Sequence, residues 1–236
     1  MKYGVKSHVG KVRSKNQDSY LTLKEDDYIL AVADGMGGHR AGEVASAIAI
    51  ETIRQYQGQQ EDIRQMLNDI IITANENIIE QQRENPEYKG MGTTLTIALV
   101  RDDLLYIGHV GDSRAYLFRN QDLLQITTDH SLVNELLKSD QITEEEARNH
   151  PQKNILLQAL GTEKDLEPEV SCFSLEESDL VLLCTDGLTN MLTEDEICQV
   201  LEGEECLQDK VEILVEQANE EGGLDNITVV LYQDQS

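Results

Sequence analysis

Apolar and polar residues alternate along this chain in two ways, one typical of strands and one typical of helices. Short apolar runs bounded by polar turns predict strands, and several runs are apolar throughout, which is typical of strands buried on both faces. The predicted strands are 2–9, 18–24, 28–33, 93–100, 104–110, 114–120, 123–128, 168–173, 179–185 and 226–232.

Helical spacing of apolar residues occurs in longer segments between these strands. Segments 40–57 and 60–84 are adjacent and predict an antiparallel helix pair, and segment 205–220 predicts a third long helix. Shorter helices are predicted at 130–138, 143–149 and 193–201. Thr193 is the expected N-cap of the last of these, with Glu196 completing a capping box.

The order of these elements indicates the fold class. Strands come in runs and helices in pairs, which favours antiparallel sheets covered by helices over a doubly wound parallel sheet. We therefore predict an α+β fold with four layers, αββα, in which antiparallel helix pairs flank a central antiparallel β-sandwich. Prolines are few and no stretch has the composition of a linker, so residues 1–236 are predicted to form one domain.

The composition excludes several classes of protein. The net charge is −26 and the pI is near 4.3, whereas binding to nucleic acid or an anionic membrane requires a basic face. The first ten residues, MKYGVKSHVG, have no apolar core of the kind found in signal peptides, and no apolar run approaches the ~20 residues that span a bilayer. The four cysteines show no CxxC spacing, so we expect a cytoplasmic chain without disulfides or zinc.

The stretch YILAVADGMGGHRAGEVAS, residues 28–46, combines a strand, a glycine-rich turn and a helix. This order is typical of nucleotide-binding loops. A dinucleotide motif, however, requires a third glycine where the chain has Arg40, and GxxxxGK[ST] does not occur. Two helices also follow in succession, so no second βαβ half is present. The aspartate in this stretch is therefore of more interest than its glycines.

Five aspartates flank the predicted strands. Asp34, Asp112 and Asp186 follow strands, whereas Asp18 and Asp225 precede them. A single Asp–Gly pair is typical of a turn, but five carboxylates at strand ends can converge at one edge of a sheet. Converging carboxylates repel one another and require cations, and ligand sets made only of oxygen favour Mg²⁺ or Mn²⁺.

A series of motifs in this chain resembles the bacterial branch of the metal-dependent serine/threonine protein phosphatases, the type 2C (PPM) family. They occur in the order of the family and extend over nearly the whole chain. The motifs are GKVRSKNQDSY (10–20), VADGMGGHRAGEVAS (32–46), GMGTTL (90–95), IGHVGDSRAYLFR (107–119), TTDHSLV (127–133), NHPQKNILLQALG (149–161), LLCTDGLTNML (182–192) and GGLDNITVVL (222–231).

The resemblance implies a centre of two Mn²⁺ or Mg²⁺ ions. Asp34 bridges the ions, the carbonyl of Gly35 completes one of them, and Asp18, Asp186 and Asp225 complete the other. Together the ions activate a water or hydroxide that attacks phosphorus in line, without a phosphoenzyme.

Further roles follow from the same resemblance. Asp112 corresponds to the ligand of a third, weaker ion, which is shared with Asp186. Arg13 is expected to bind the substrate phosphate, because a guanidinium grips two phosphate oxygens at once. Asn226 is expected to orient Asp225 and not to bind metal. Residues 134–154 resemble the flap of bacterial members, which would help to select substrates.

The donor of the proton to the leaving oxygen is open at this point. Animal members of the family carry histidine two residues after the bridging aspartate, where this chain has Met36. The alternatives are a metal-bound water and His39. His130 is expected to make a structural hydrogen bond.

The activity implied is hydrolysis of phosphoserine and phosphothreonine in proteins, by a monomeric enzyme that opposes a bacterial serine/threonine kinase. One alternative is a phosphatase-like binding module that has lost catalysis, although the retained Arg13 and five aspartates argue against it. Another is hydrolysis of a small phosphoester. The sequence shows no basic pocket for a polyphosphate, but otherwise it discriminates poorly between small and protein substrates.

Overall fold

Two five-stranded antiparallel sheets lie at the centre of the part of the molecule that the structure describes. This part of the computed structural model comprises residues 2–24, 27–37, 41–56, 61–162 and 166–233. The strands are β1 (Tyr3–His8), β2 (Ser19–Lys24), β3 (Tyr28–Ala33), β4 (Gly35–Met36), β5 (Gly92–Thr93), β6 (Leu95–Arg101), β7 (Leu104–Val110), β8 (Arg114–Arg119), β9 (Asp122–Gln125), β10 (Glu169–Ser174), β11 (Leu180–Cys184) and β12 (Ile227–Gln233). The helices are α1 (Ala41–Gln55), α2 (Ile63–Glu84), α3 (Leu132–Lys138), α4 (Glu144–Arg148), α5 (Asp186–Thr189), α6 (Glu194–Glu202) and α7 (Leu207–Glu220), with a 3₁₀ turn at Pro86–Tyr88.

The strands alternate between the sheets in a way that brings distant parts of the chain together. The first sheet has the order β1-β12-β11-β8-β9, and the second has the order β10-β7-β6-β3-β2. Every pairing in both sheets is antiparallel. The last strand, β12, therefore lies between the first strand and β11, so both ends of the described chain meet in one sheet.

Three apolar clusters separate four layers. One cluster fills the space between the two sheets and includes Leu30, Leu105 and Val230. A second packs α1 and α2 against the second sheet, and a third packs α5, α6 and α7 against the first sheet. The predicted four-layer sandwich is thus confirmed. None of the described helices is long and apolar enough to cross a membrane.

Burial on both faces explains why the strand patterns were apolar throughout. All residues of β11 and residues 95–100 of β6 are buried, since each of these strands has a sheet neighbour on both sides and apolar clusters on both faces. The predicted capping box is also confirmed, because Thr193 accepts from the amide of Glu196 and the Glu196 carboxylate accepts from the amide of Thr193.

Three local features differ from the predictions. Strand β9 ends at Gln125 and not at position 128, because the Thr127 hydroxyl replaces a main-chain acceptor and receives the amide of Ala115. The chain after β11 forms a helical turn, α5, that begins at Asp186. The pairing of β4 with β5 was also not predicted, since two-residue strands have no detectable periodicity.

Candidate metal centre

Asp18 and Asp34 are brought together by the register of β2 against β3. Ser19, the first residue of β2, pairs with Ala33, the last residue of β3. The residue before β2 and the residue after β3 therefore lie side by side at one end of the second sheet, as the sequence predicted.

The first sheet brings three more aspartates to one of its ends. The end of β11 lies opposite the start of β8 on one side and close to the start of β12 on the other. Asp186 follows β11, Asp112 precedes β8, and Asp225 precedes β12. Antiparallel pairing therefore places these three carboxylates at a common edge.

Two threonines of the first sheet join this edge to the second sheet. Oδ2 of Asp18 accepts hydrogen bonds from the hydroxyls of Thr185, at 2.9 Å, and Thr228, at 2.7 Å. The amide of Thr228 in turn donates to the Thr185 hydroxyl at 3.0 Å. Sequence reasoning missed both threonines, and the available signal was their position beside a predicted ligand in CTDG and DNIT.

The main chain of Asp34 is held by the threonines of GMGTTL. Its amide donates to the Thr94 hydroxyl at 2.9 Å, and its carbonyl accepts from the Thr94 amide at 3.0 Å and from the Thr93 hydroxyl at 2.8 Å. The Thr94 hydroxyl also contacts that of Ser113 at 2.7 Å, next to Asp112. Hydrogen bonds thus connect the positions of Asp34 and Asp112.

The glycines of residues 28–46 allow close packing of main chain. A Cβ atom at Gly35 would collide with the carbonyl oxygens of Gly42 and Gln17, and a Cβ at Gly42 would collide with the Gly35 carbonyl. Gly35 and Gly42 therefore let the start of α1 approach both β4 and the segment that carries Asp18. This role differs from a phosphate cradle.

Burial and mutual repulsion raise the pKa values of the clustered carboxyls. Burial raises the pKa of Asp18 to about 7, against the hydrogen bonds from the two threonines. Burial also raises the pKa of Asp34 well above its ordinary value, and the charges of the four other aspartates raise it further. The pKa values of Asp112 and Asp186 are raised as well, chiefly by burial. Ionised side chains at this edge thus require a compensating positive charge.

Two carboxylate oxygens in the cluster have no hydrogen-bond partner. These atoms are Oδ1 of Asp18 and Oδ1 of Asp186, one from each sheet, and both are shielded from solvent. An unpartnered buried anionic oxygen is costly, and a divalent cation between the sheets would remove that cost. Asp18 and Asp186 as whole residues remain partly exposed, and a cavity lined by Asp112 and Asp186 adjoins the cluster.

The side-chain positions alone do not define a closed coordination shell. Within the described ranges, no group of three or more His, Cys, Asp or Glu side chains is spaced so as to hold an ion. The convergence of buried carboxyls, their raised pKa values and the two unpartnered oxygens nevertheless favour bound cations at this edge.

Arg13 lies at the carboxylate edge, beside Asp225. Its Nη2 donates to Oδ2 of Asp225 at 2.7 Å, and the two side chains are 53% and 34% exposed. This hydrogen bond raises the pKa of Arg13, and the charges of Asp225, Asp186 and Asp34 act in the same direction. The guanidinium thus combines a fixed location at the carboxylate edge with access from solvent.

Asn226 contacts Asp225 as predicted, but through its main chain and not through its side chain. Its main-chain amide donates to Oδ1 of Asp225 at 2.8 Å, but its side chain points to the loop before β2. The expected orienting contact is therefore made by the backbone, which any residue type would provide.

The described histidines are engaged in structural hydrogen bonds. His130 Nδ1 accepts from the amide of Gly111 at 3.2 Å, in line with its predicted role. His109 is fully buried between the Thr96 hydroxyl and the Thr128 carbonyl, and burial lowers its pKa to about 4. His39, the candidate proton donor, lies outside the described residues.

The predicted flap region, residues 134–154, stands beside the carboxylate edge. Its base is closed by a bridge between Ser131 and Leu156, and α3 and α4 lie between them. A cavity of about 450 Å³ separates it from the chain after β11, with Asp112 and Asp186 in one wall and Lys153 in the other. Although burial and Asp225 raise the pKa of Asp186, the charge of Lys153 opposes this shift.

Comparison with known proteins agrees with this geometry. A model of the protein phosphatase 2C family matches residues 6–225, so the chain belongs to this family. The serine/threonine phosphatase stp of Listeria monocytogenes is 41% identical over 232 residues, which cover 95% of this chain and 92% of that protein. This chain is accordingly a serine/threonine phosphatase.

Solved structures show the same fold. The crystal structure of the serine/threonine phosphatase Stp1 from Staphylococcus aureus has a TM-score of 0.94 at 36% identity and covers 100% of this chain and 95% of its own. The catalytic domain of the phosphatase PstP in complex with two manganese ions has a TM-score of 0.89 at 35% identity, with coverage of 98% and 96%.

The carboxylate cluster predicts opposite effects of Asp34→Asn with and without metal. At pH 8 without metal, Asp34→Asn should raise the melting temperature, because a neutral amide replaces a carboxyl whose ionisation is disfavoured by burial and by four neighbouring charges. With Mn²⁺ at about 100 times its Kd, the wild type should gain about 2.7 kcal/mol of stability, and the variant should gain much less. Differential scanning calorimetry with and without EDTA measures both effects.

The exposed Asp209 on α7 provides the matched control, since Asp209→Asn removes the same charge away from the cluster. This variant should respond to Mn²⁺ as the wild type does. Equal stabilisation of the Asp34→Asn variant by Mn²⁺ would contradict Asp34 as a ligand.

Proposed function

We propose that this phosphatase hydrolyses phosphoserine and phosphothreonine in proteins with two divalent ions held between its two sheets. One observation carries the proposal: five aspartates from both sheets meet at one edge, where two of their buried oxygens lack partners. A half-exposed arginine lies beside them. The structure of PstP with two manganese ions supports the choice of a Mn²⁺- or Mg²⁺-type site.

The residues divide into ligands and a phosphate-binding group. Asp34, Gly35, Asp18, Asp186 and Asp225 would hold the two ions, with Asp34 between them. When bound, such ions lower the pKa of a water and neutralise charge on the phosphate oxygens. The threonine hydroxyls hold Oδ2 of Asp18 and the main chain of Asp34, which would reduce the reorganisation needed for catalysis.

Arg13 would orient the phosphate from the solvent side of the carboxylate edge. Its guanidinium has further N–H groups beyond the one that donates to Asp225, and its exposure leaves them available to two phosphate oxygens. A phosphoprotein can reach this group because the site opens at the surface. The physiological counterpart of the activity would be a serine/threonine kinase.

Asp112 would contribute to a third, weaker site. Its carboxyl lies in the same cavity wall as that of Asp186. Burial is the largest cause of the raised pKa of Asp112, and the charge of Asp186 is the next largest. A shared ion would relieve this repulsion. The flap forms the opposite wall, so an ion there would lie where the substrate chain and the flap meet.

Mn²⁺-dependent hydrolysis is the direct test of the function. The purified protein should hydrolyse p-nitrophenyl phosphate and a phosphothreonine peptide, and EDTA or Asp34→Asn should abolish both activities. Phosphate release assays with Mn²⁺ and Mg²⁺ measure this, with Asp209→Asn as control. Retained activity in Asp34→Asn would contradict the bridging assignment, whereas hydrolysis of small phosphoesters without phosphopeptides would indicate a metabolite phosphatase.

Arg13→Ala should mainly weaken substrate binding. Hydrogen bonds to charged groups contribute about 1.5–3 kcal/mol, so KM should rise about tenfold or more. Steady-state kinetics measure the change. Arg101→Ala is the matched control, because Arg101 also forms a partly exposed ion pair, with Asp27, but contributes no group to the cluster. A wild-type KM in Arg13→Ala would exclude the proposed phosphate contact.

Asp112→Ala should reduce turnover at low metal concentration while leaving the binding of the two tighter ions intact. Removal of a ligand from a weaker site alters the dependence of activity on Mn²⁺, and calorimetric titration should show two retained ions. Activity that equals that of the wild type at every Mn²⁺ concentration would show that the third site is dispensable.

A further inference from the structure

The loop between β1 and β2, residues 9–18, carries Arg13 and Asp18 to the site without any strand or helix of its own. We propose that Asn226 is a positioning residue that clamps this loop and thereby fixes where Arg13 meets the substrate phosphate. The inference rests on the proposed function for its kinetic consequence, but the clamp itself is a property of the folded chain.

The side chain of Asn226 bonds to the loop at three separated points. Its Oδ1 accepts from the amide of Gln17 at 2.8 Å, and its Nδ2 donates to the carbonyls of Val9 at 3.0 Å and Lys15 at 2.8 Å. One amide group therefore holds the loop near both of its ends and at a point two residues after Arg13.

The three bonds match the capacity of an amide in this orientation. An asparagine side chain offers two N–H donors and a carbonyl acceptor, and here both donors and the acceptor are used. Asn226 is 4% exposed, so water cannot replace a lost bond easily. A carboxylate could keep the bond to Gln17, but it would face the carbonyls of Val9 and Lys15 with no proton to donate.

The segment before Asn226 reinforces the clamp. The carbonyl of Gly223 accepts from the amides of Lys11 at 2.7 Å and Val12 at 3.3 Å. A Cβ at Gly223, where φ is +52°, would lie 3.0 Å from the Lys11 amide nitrogen and 2.7 Å from Oδ1 of Asn219. The segment 223–226 thus supplies contacts along the whole loop.

Arg13 depends on this clamp because its own side chain is poorly packed. It is 53% exposed, and its hydrogen bond within the described chain is the one to Asp225, which also accepts from the amide of Asn226. The location of the guanidinium is therefore set by the backbone of the loop. Misplacement of a binding group by about 1 Å can reduce the rate by up to about a hundredfold.

A kinetic test separates positioning from a general structural role. Asn226→Ala and Asn226→Asp should raise the KM for a phosphothreonine peptide by roughly tenfold and lower kcat much less. In a double-mutant cycle, either Asn226 substitution should add little to the rise in KM that Arg13→Ala causes. The substitutions at positions 226 and 13 act through the same guanidinium, so their effects on KM should not add. The aspartate variant keeps the side-chain size, so it serves if the alanine variant folds poorly.

Asn75→Ala is the matched control. Asn75 is also buried, at 8% exposure, and its Oδ1 accepts from the amide of Gly161 at 2.7 Å, far along the chain from the loop. This variant should lower the melting temperature without changing KM.

Hydrogen exchange tests the clamp without any activity. In metal-free protein, Asn226→Ala should increase the exchange rate of the Gln17 amide, whereas amides within the β11–β12 ladder should keep their protection. Unchanged exchange at Gln17 would overturn the clamp, and so would additive KM effects or a wild-type KM in folded variants. Absence of phosphatase activity in the wild type would instead overturn the proposed function and leave the exchange result valid.

Discussion

Repulsion between carboxylates is the interaction on which this site depends. Five aspartates converge at one edge of the sandwich, and burial together with their mutual charge raises the pKa values of Asp18, Asp34, Asp112 and Asp186. A fold selected for stability alone would not gather them there. The cost of this arrangement is offset only by positive charge, so affinity for divalent cations and low intrinsic stability at this edge have the same origin.

The surrounding structure keeps these groups in place despite their repulsion. Strand register brings the aspartates to one edge. The hydroxyls of Thr185 and Thr228 donate to Oδ2 of Asp18, and the hydroxyl of Thr94 accepts from the amide of Asp34. The loop with Arg13 lacks ladder hydrogen bonds, so side-chain and carbonyl groups of the segment before β12 take their place. The geometry of the carboxylate edge is thus supported by neutral polar groups.

The fold and the aspartate cluster could be predicted from the sequence because both follow from patterns among residues that are close together in the chain. Apolar runs define the strands, and aspartates next to those runs must lie at sheet edges. The threonine contacts to Asp18 and the direction of the Asn226 side chain could not be predicted, since each depends on residues more than 150 positions apart meeting across two sheets. The helical turn at Asp186 is too short to have a period of its own.

The position of β12 between β1 and β11 has a consequence for synthesis of the protein. The position of Asp225 beside the other aspartates, and the contacts of the Asn226 side chain with the loop between β1 and β2, form only after this late strand has paired with the first one. A nascent chain still attached to the ribosome within this region therefore has no complete site, although most of its aspartates have been made.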